Sequence, residues 1–111
     1  MTTDIARPYT YKVTFTSGEY YFGYRFANVK KNRPAHLDLG TYYKTSSKII
    51  KERGFENCTF EVLSEFDSKF DAYWSEQRAI KNNKDDPLIL NKHYIDPDSG
   101  KGSGIKKIKI R

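Results

Sequence analysis

A single cysteine, Cys58, and two histidines, His36 and His93, are all that 111 residues offer by way of thiol or imidazole ligands. One cysteine closes no disulfide within the chain, and no cysteine cluster exists to hold zinc. Cys58 lies in an alternating apolar segment and reads as a small buried hydrophobe. A chain without a disulfide framework suits a reducing compartment, so a cytoplasmic location is expected. No apolar run approaches the roughly 18 residues of a membrane-spanning helix. The stretch MTTDIARP has no apolar core of the signal-peptide kind. There is no internal repeat, no glycine-rich phosphate loop, and no Ser-His-Asp or Cys-His arrangement, which leaves most enzyme classes without a foothold. His36 and His93 are isolated and read as surface residues.

What the chain has instead is aromatic residues and positive charge. Aromatics make up 15% of it against 37% hydrophobic residues overall, so Tyr and Phe must build much of the core. The length fits one domain. The net charge is +6, which favours an anionic partner such as nucleic acid without identifying one.

The stretch from Tyr9 to Arg25 organises the rest. Tyr9, Tyr11, Val13 and Phe15 alternate with Thr10, Lys12 and Thr14, the period-two pattern of a half-buried strand. Thr16-Ser17-Gly18-Glu19 supplies a tight turn in which Gly18 can take a positive φ. The return strand, Tyr20 to Tyr24, is almost wholly aromatic and leads into Arg25. Gly23 interrupts it, and a glycine inside a strand marks a bulge or a place of close approach.

Beyond the hairpin, Phe26 to Gly40 is polar and irregular, and Pro34 and Gly40 argue against one continuous helix. Its cluster Lys30, Lys31 and Arg33 is either a solvated basic loop or a set of phosphate contacts, with Lys48 further on as another candidate. In TYYKTSSKIIKERG, Thr45, Ser46 or Ser47 can cap a helix, Ile49 and Ile50 give it a small apolar face, and Gly54 stops it. The segment from Cys58 to Leu63 alternates as a third strand. Asp67 to about Asn82 is the clearest helix, capped by Asp67 or Ser68. Phe70, Tyr73, Trp74, Gln77 and Ile80 share one face, and Glu76 falls on the flank of that stripe. A carboxylate there either snorkels at the boundary or points into a cleft. Leu88-Ile89-Leu90 should pack back on the core. From Ile95 the composition shifts to a flexible linker and an alternating apolar and basic end, Ile105 to Arg111. That end reads as an edge strand, a basic arm or the start of a further strand. The division expected is a domain over 1–94 and a flexible basic tail over 95–111.

Tyr11 in the first strand and the triplet Tyr21-Phe22-Gly23 in the second resemble the paired tyrosine motifs of the GIY-YIG nuclease family. The predicted order is strand, turn, strand, basic loop, short helix, strand, long helix, short apolar run, which is the order of that domain. Glu76 in Trp-Ser-Glu-Gln-Arg and Asn91 in Leu-Ile-Leu-Asn-Lys correspond in position to the family's Glu and Asn. The segment TYYKTSSKIIKERGFENCTFEVL is similar to a phage-borne branch. The resemblance covers about residues 9 to 94. Two departures stand out: Tyr9 occupies the place of the first motif's Gly, and Phe22 that of the second motif's aliphatic residue.

The resemblance implies an α+β fold, a small three-stranded antiparallel sheet flanked by helices. It implies a metal-dependent endonuclease, phage-like or homing-endonuclease-like, that hydrolyses DNA phosphodiesters with Mg²⁺ or Mn²⁺, in the host cytoplasm if phage-encoded. Glu76 would hold the metal, because a hard cation takes oxygen ligands and often just one carboxylate beside phosphate and waters. Tyr11 would orient or deprotonate the attacking water and Tyr21 would support it. A phenol of ordinary pKa near 10 needs a cation beside it to serve as a base. Arg25, leaving an ordered strand, is the preferred phosphate-stabilising arginine; Lys31 stands at the family's usual spacing, and Arg33 is the other candidate. The family's His or Tyr partner is open among His36, Tyr42 and Tyr43. The alternative is a catalytically inactive copy that binds nucleic acid or protein.

Overall fold

The computed structural model describes residues 6–26, 34–40, 43–45 and 47–105. The chain runs β1 (Tyr9–Phe15), β2 (Tyr20–Arg25), α1 (Ala35–Asp38), α2 (Lys48–Arg53), β3 (Cys58–Glu65), α3 (Lys69–Asn82), β4 (His93–Ile95) and β5 (Gly102–Gly104). β1 is the middle strand of a three-stranded antiparallel sheet of order β2-β1-β3, and β4 and β5 form a separate two-stranded ribbon. The fold is α+β, with helices against the sheet. Among the described residues no helix is long and apolar enough to cross a membrane.

The hairpin forms for the reasons its sequence states. Gly18 sits in the turn at φ +93°. The register pairs Tyr11 with Gly23 and Val13 with Tyr21, so these four residues share one face of the sheet. That face carries the larger core: Tyr9, Tyr11, Val13 and Phe15 pack with Ala35, Leu39, Ile50 and Leu90. The opposite face carries Tyr20 and Phe22, which pack with Ile80, Ile89 and Tyr94. The period-two alternation therefore feeds two cores.

The glycine within β2 answers to close approach. A Cβ at Gly23 would stand 2.3 Å from Tyr11 Cζ and 2.3 Å from its Oη. The Tyr11 ring lies folded across its strand partner, and only a residue without a side chain leaves it room.

Helix boundaries follow their caps. The Ser47 hydroxyl accepts the Ile50 N–H to open α2, and Gly54 closes it at φ +82°. The Ser68 hydroxyl accepts the Phe70 N–H to open α3. Pro34 stands directly before α1, a single turn inside the stretch expected to be irregular throughout.

Two local expectations are corrected. The buried side of α3 is Ala72, Glu76, Gln77 and Ile80, while Phe70 is 65% exposed and Trp74 38%. Small Ala72 lets the helix approach the sheet, and the two polar residues are buried because they bond to backbone there. Residues 96–104 form no free linker: Asp96 N–H bonds to Lys101 C=O at 2.9 Å, Gly100 N–H to Asp96 C=O at 2.7 Å, and β4 and β5 pair on either side. Ile105 then packs on the second core. Residues 106–111 lie outside the described part.

Candidate functional site

β2 is an edge strand of the sheet, and its outer edge positions the site. An open edge leaves alternate N–H and C=O groups without partners. Here three successive outward-facing residues are covered in three different ways. Tyr20 exchanges backbone hydrogen bonds with the apolar run, donating to Leu88 C=O at 3.0 Å and accepting from Leu90 N–H at 2.7 Å. Phe22 donates to Asn91 Oδ1 at 2.9 Å and accepts from Asn91 Nδ2 at 2.9 Å. Tyr24 N–H donates to the Glu76 carboxylate. A peptide, a carboxamide and a carboxylate thus seal one edge in order.

That arrangement opens a cleft of about 410 Å³ between β2, α3, the start of α2 and the chain leading into β4. Tyr21, Glu76 and Asn91 line it, with Ser47, Tyr73, Gln77, Lys92 and His93. Three of the residues singled out in the sequence therefore stand around one space. They come from β2, from α3 and from the chain that leads into β4.

Glu76 is the group with the most disturbed chemistry. Its side chain is buried, and burial pushes its pKa up to about 7, against smaller opposing effects of hydrogen bonds from Gln77 and the Tyr24 backbone. Gln77 Nε2 donates to Glu76 Oε1 at 2.5 Å, and Gln77 Oε1 accepts the Ile95 N–H at 2.6 Å. Gln77 so ties the carboxylate to β4. Among the described residues no lysine or arginine forms an ion pair with Glu76.

Tyr21 faces the same cleft. Its hydroxyl is pushed up to about 12, chiefly by burial and then by the negative charge of Glu76, while the Ser47 hydroxyl beside it acts in the opposite sense. It is a proton donor at neutral pH.

Tyr11 and Arg25 form a second layer that does not line the cleft. The Tyr11 hydroxyl lies 3.1 Å from Tyr43 Oη and 3.0 Å from Thr45 Oγ1. Burial raises its pKa far above the ordinary tyrosine value, so it carries its proton. Arg25 Nε is 2.6 Å from Asp38 Oδ2, at an angle too bent for a hydrogen bond, and its guanidinium lies 4.2 Å from the centre of the Tyr43 ring. Tyr9 donates to the same Asp38 oxygen at 2.8 Å. Of the three candidates for the aromatic or histidine partner, the geometry brings Tyr43 to both Tyr11 and Arg25. His36 is exposed on α1, and Tyr42 lies outside the described residues.

Lys30, Lys31 and Arg33 also lie outside the described residues, and Lys48 is exposed at the start of α2. Asp38, Thr45, Ser47, Gln77 and Lys92 were not singled out as site residues in the sequence. Asp38 sits in a stretch with no periodicity, and Thr45 and Ser47 read there only as caps.

The resemblance implies one hard cation, and the residues around the cleft offer it a single carboxylate, Glu76. The observation is a buried carboxylate that faces open space and lacks a neutralising cation among the described residues. Among those residues no group of three or more His, Cys, Asp or Glu that could hold a metal ion stands together, so a cation here would have one protein carboxylate and would take its other oxygens from water and substrate. No protein-family model, no curated protein and no solved structure matches this chain.

Proposed function

We propose that this chain is a metal-dependent DNA endonuclease of the GIY-YIG type, phage-like or homing-endonuclease-like, that hydrolyses phosphodiester bonds. The observation that carries the reading is Glu76: a buried carboxylate on the wall of a cleft that Tyr21 and Asn91 also line, with no ion-pair partner among the described residues. The order of elements supports the reading, although two short helices, α1 and α2, stand between β2 and β3 where the resemblance implies a basic loop and one short helix.

Glu76 would hold Mg²⁺ or Mn²⁺, and a bound divalent ion supplies Lewis-acid polarisation of a phosphoryl oxygen and a more acidic water. The chain's own groups do the rest. Tyr21, protonated, donates a hydrogen bond into the cleft and orients the attacking water. Tyr11 holds Tyr43 in place through its hydroxyl. Arg25, expected from the sequence to meet the phosphate, stands outside the cleft against Asp38 and the Tyr43 ring, and its part is to fix Tyr43 and through it Tyr11. Asn91 keeps the β2 edge closed, so that Tyr21 and Glu76 stay opposite one another. Lys48, with Lys30, Lys31 and Arg33, adds sequence-independent phosphate binding.

The test is conversion of supercoiled plasmid to nicked or linear DNA with Mg²⁺ and its arrest by EDTA. A second reading, an inactive domain that binds nucleic acid or protein, is favoured by one observation: both ends of the Asn91 carboxamide are already taken by Phe22. Under that reading the protein shifts DNA at low salt and cuts none of it.

A further inference from the structure

The outer side of α3 carries side chains that the core does not use. Phe70 is 65% exposed and Trp74 38% exposed, one helical turn apart on the same strip. Arg78 continues the strip one turn further, 56% exposed and only 4.0 Å from its partner Asp98. Lys69 Nζ lies 5.5 Å from the centre of the Phe70 ring. Two exposed rings thus lie along the helix with a cation at either end.

The strip is continuous with the cleft. The Trp74 ring meets Tyr73 edge to face at 5.0 Å, and Tyr73 meets Tyr24 the same way at 5.5 Å. Tyr73 lines the cleft, and the backbone of Tyr24 bonds to Glu76. A row of rings therefore leads from beside the carboxylate out to the exposed Trp74 and Phe70. Exposed aromatic rings bordered by cations are what unpaired bases and their phosphates require, because every base offers a π face and every linkage a negative charge.

We infer that Tyr24, Tyr73, Trp74 and Phe70 form a stacking platform for unpaired bases of a DNA strand entering the cleft, with Lys69 and Arg78 beside it for phosphates. The inference deepens the nuclease reading and rests on it for the choice of DNA. It makes the substrate DNA that is single-stranded or locally opened next to the bond cut, rather than fully paired duplex. The chain's net charge of +6 complements that occupant and disfavours a second copy of the same chain.

Trp74 is the sole tryptophan, so its fluorescence reports on the strip alone. The experiment titrates the full chain in EDTA with a 12-nucleotide single strand, the same sequence as blunt duplex, and the same sequence as RNA. The single DNA strand is expected to quench Trp74 and to bind more tightly than the duplex. Phe70→Ala with Trp74→Ala, both at exposed positions, should weaken binding of a labelled single strand by about tenfold, read by anisotropy, and leave duplex binding unchanged. No quenching by a strand that binds, equal loss for duplex and single strand, or tighter binding of RNA overturns the inference. So does concentration-dependent dimerisation that Trp74→Ala abolishes, which gives the strip to a second copy. Plasmid cleavage with Mg²⁺ by the wild type, set beside its quenching by the single strand, separates the two claims. Cleavage without quenching removes the platform and keeps the nuclease, and quenching without cleavage does the reverse.

Discussion

Asn91 spends both ends of its carboxamide on one residue, accepting the Phe22 N–H at 2.9 Å and donating to the Phe22 C=O at 2.9 Å. A side chain here completes a strand ladder that the backbone of Leu88 to Leu90 begins. Removing it leaves a buried N–H and a buried C=O without partners, each loss costing about 1–3 kcal/mol. Asn91→Ala is expected to destabilise the fold by about 2–4 kcal/mol, measured by urea denaturation. Asn91→Asp keeps the acceptor but sets a negative charge against the Phe22 carbonyl, and should be no better. An Asn91→Ala protein as stable as the wild type contradicts the edge-sealing role.

Tyr11 and Gly23 form a second coupled pair. Gly23→Ala drives a methyl into the Tyr11 ring and is expected to cost about 3 kcal/mol, at the upper end for overpacking. Tyr11→Leu removes the ring and leaves a partial cavity, itself costing a few kcal/mol. Combined, the two should be strongly non-additive, with Gly23→Ala costing about 1 kcal/mol or less in the Tyr11→Leu background. Additive costs would mean that Gly23 serves something other than the ring.

Glu76 gives a pH signature. Its pKa is about 7 in the fold against an ordinary 4.5, because burial penalises the charge. Between those values the folded chain binds a proton that the unfolded chain has lost, so the contribution of Glu76 to stability is fully present below about 4.5 and is lost as the pH rises through about 7. Glu76→Gln removes that titration while keeping an acceptor for Tyr24. In EDTA the variant is expected to match the wild type near pH 4.5 and to exceed it by about 3 kcal/mol at pH 8. Urea curves at the two pH values check it, and a wild type that gains on the variant as the pH rises refutes it.

Much of this was readable in the chain and some was not, for physical reasons. The alternation in β1, the Gly18 turn and the Ser47 and Ser68 caps act through local backbone chemistry, so they stand open in the sequence. The face of α3 does not. Periodicity assigns Phe70 and Trp74 to the core, but the helix turns Ala72, Glu76 and Gln77 inward, where the last two bond to Tyr24, Ile95 and each other. Hydrophobic patterning is blind to polar residues buried for their hydrogen bonds. The ribbon of β4 and β5 was hidden for a similar reason, since Gly-Ser-Gly carries no alternation and is held by pairing with His93 to Ile95. Tyr21, Glu76 and Asn91 were chosen by their order along the chain, and the fold sets all three around one cleft. The network of Arg25, Asp38 and Tyr43 needed the fold to bring distant residues together.

Mg²⁺ should act through Glu76. A ligand that binds only the folded state raises its stability, and a divalent ion also removes the cost of the buried charge. Millimolar Mg²⁺ at pH 8 is expected to raise the wild-type Tm by several degrees and to leave Glu76→Gln unmoved. Equal shifts in both proteins place the ion elsewhere.

The most direct measurement is cleavage of supercoiled plasmid at pH 8 with Mg²⁺, by wild type and Glu76→Gln side by side, with EDTA as control. The variant is expected to be the more stable protein under metal-free conditions at that pH, so lost activity cannot be put down to lost fold. The account predicts nicked and linear product from the wild type, none with EDTA, and at least a hundredfold less from Glu76→Gln, on the order of 3 kcal/mol of lost stabilisation. Cleavage that survives in Glu76→Gln, or no cleavage by the wild type, contradicts it.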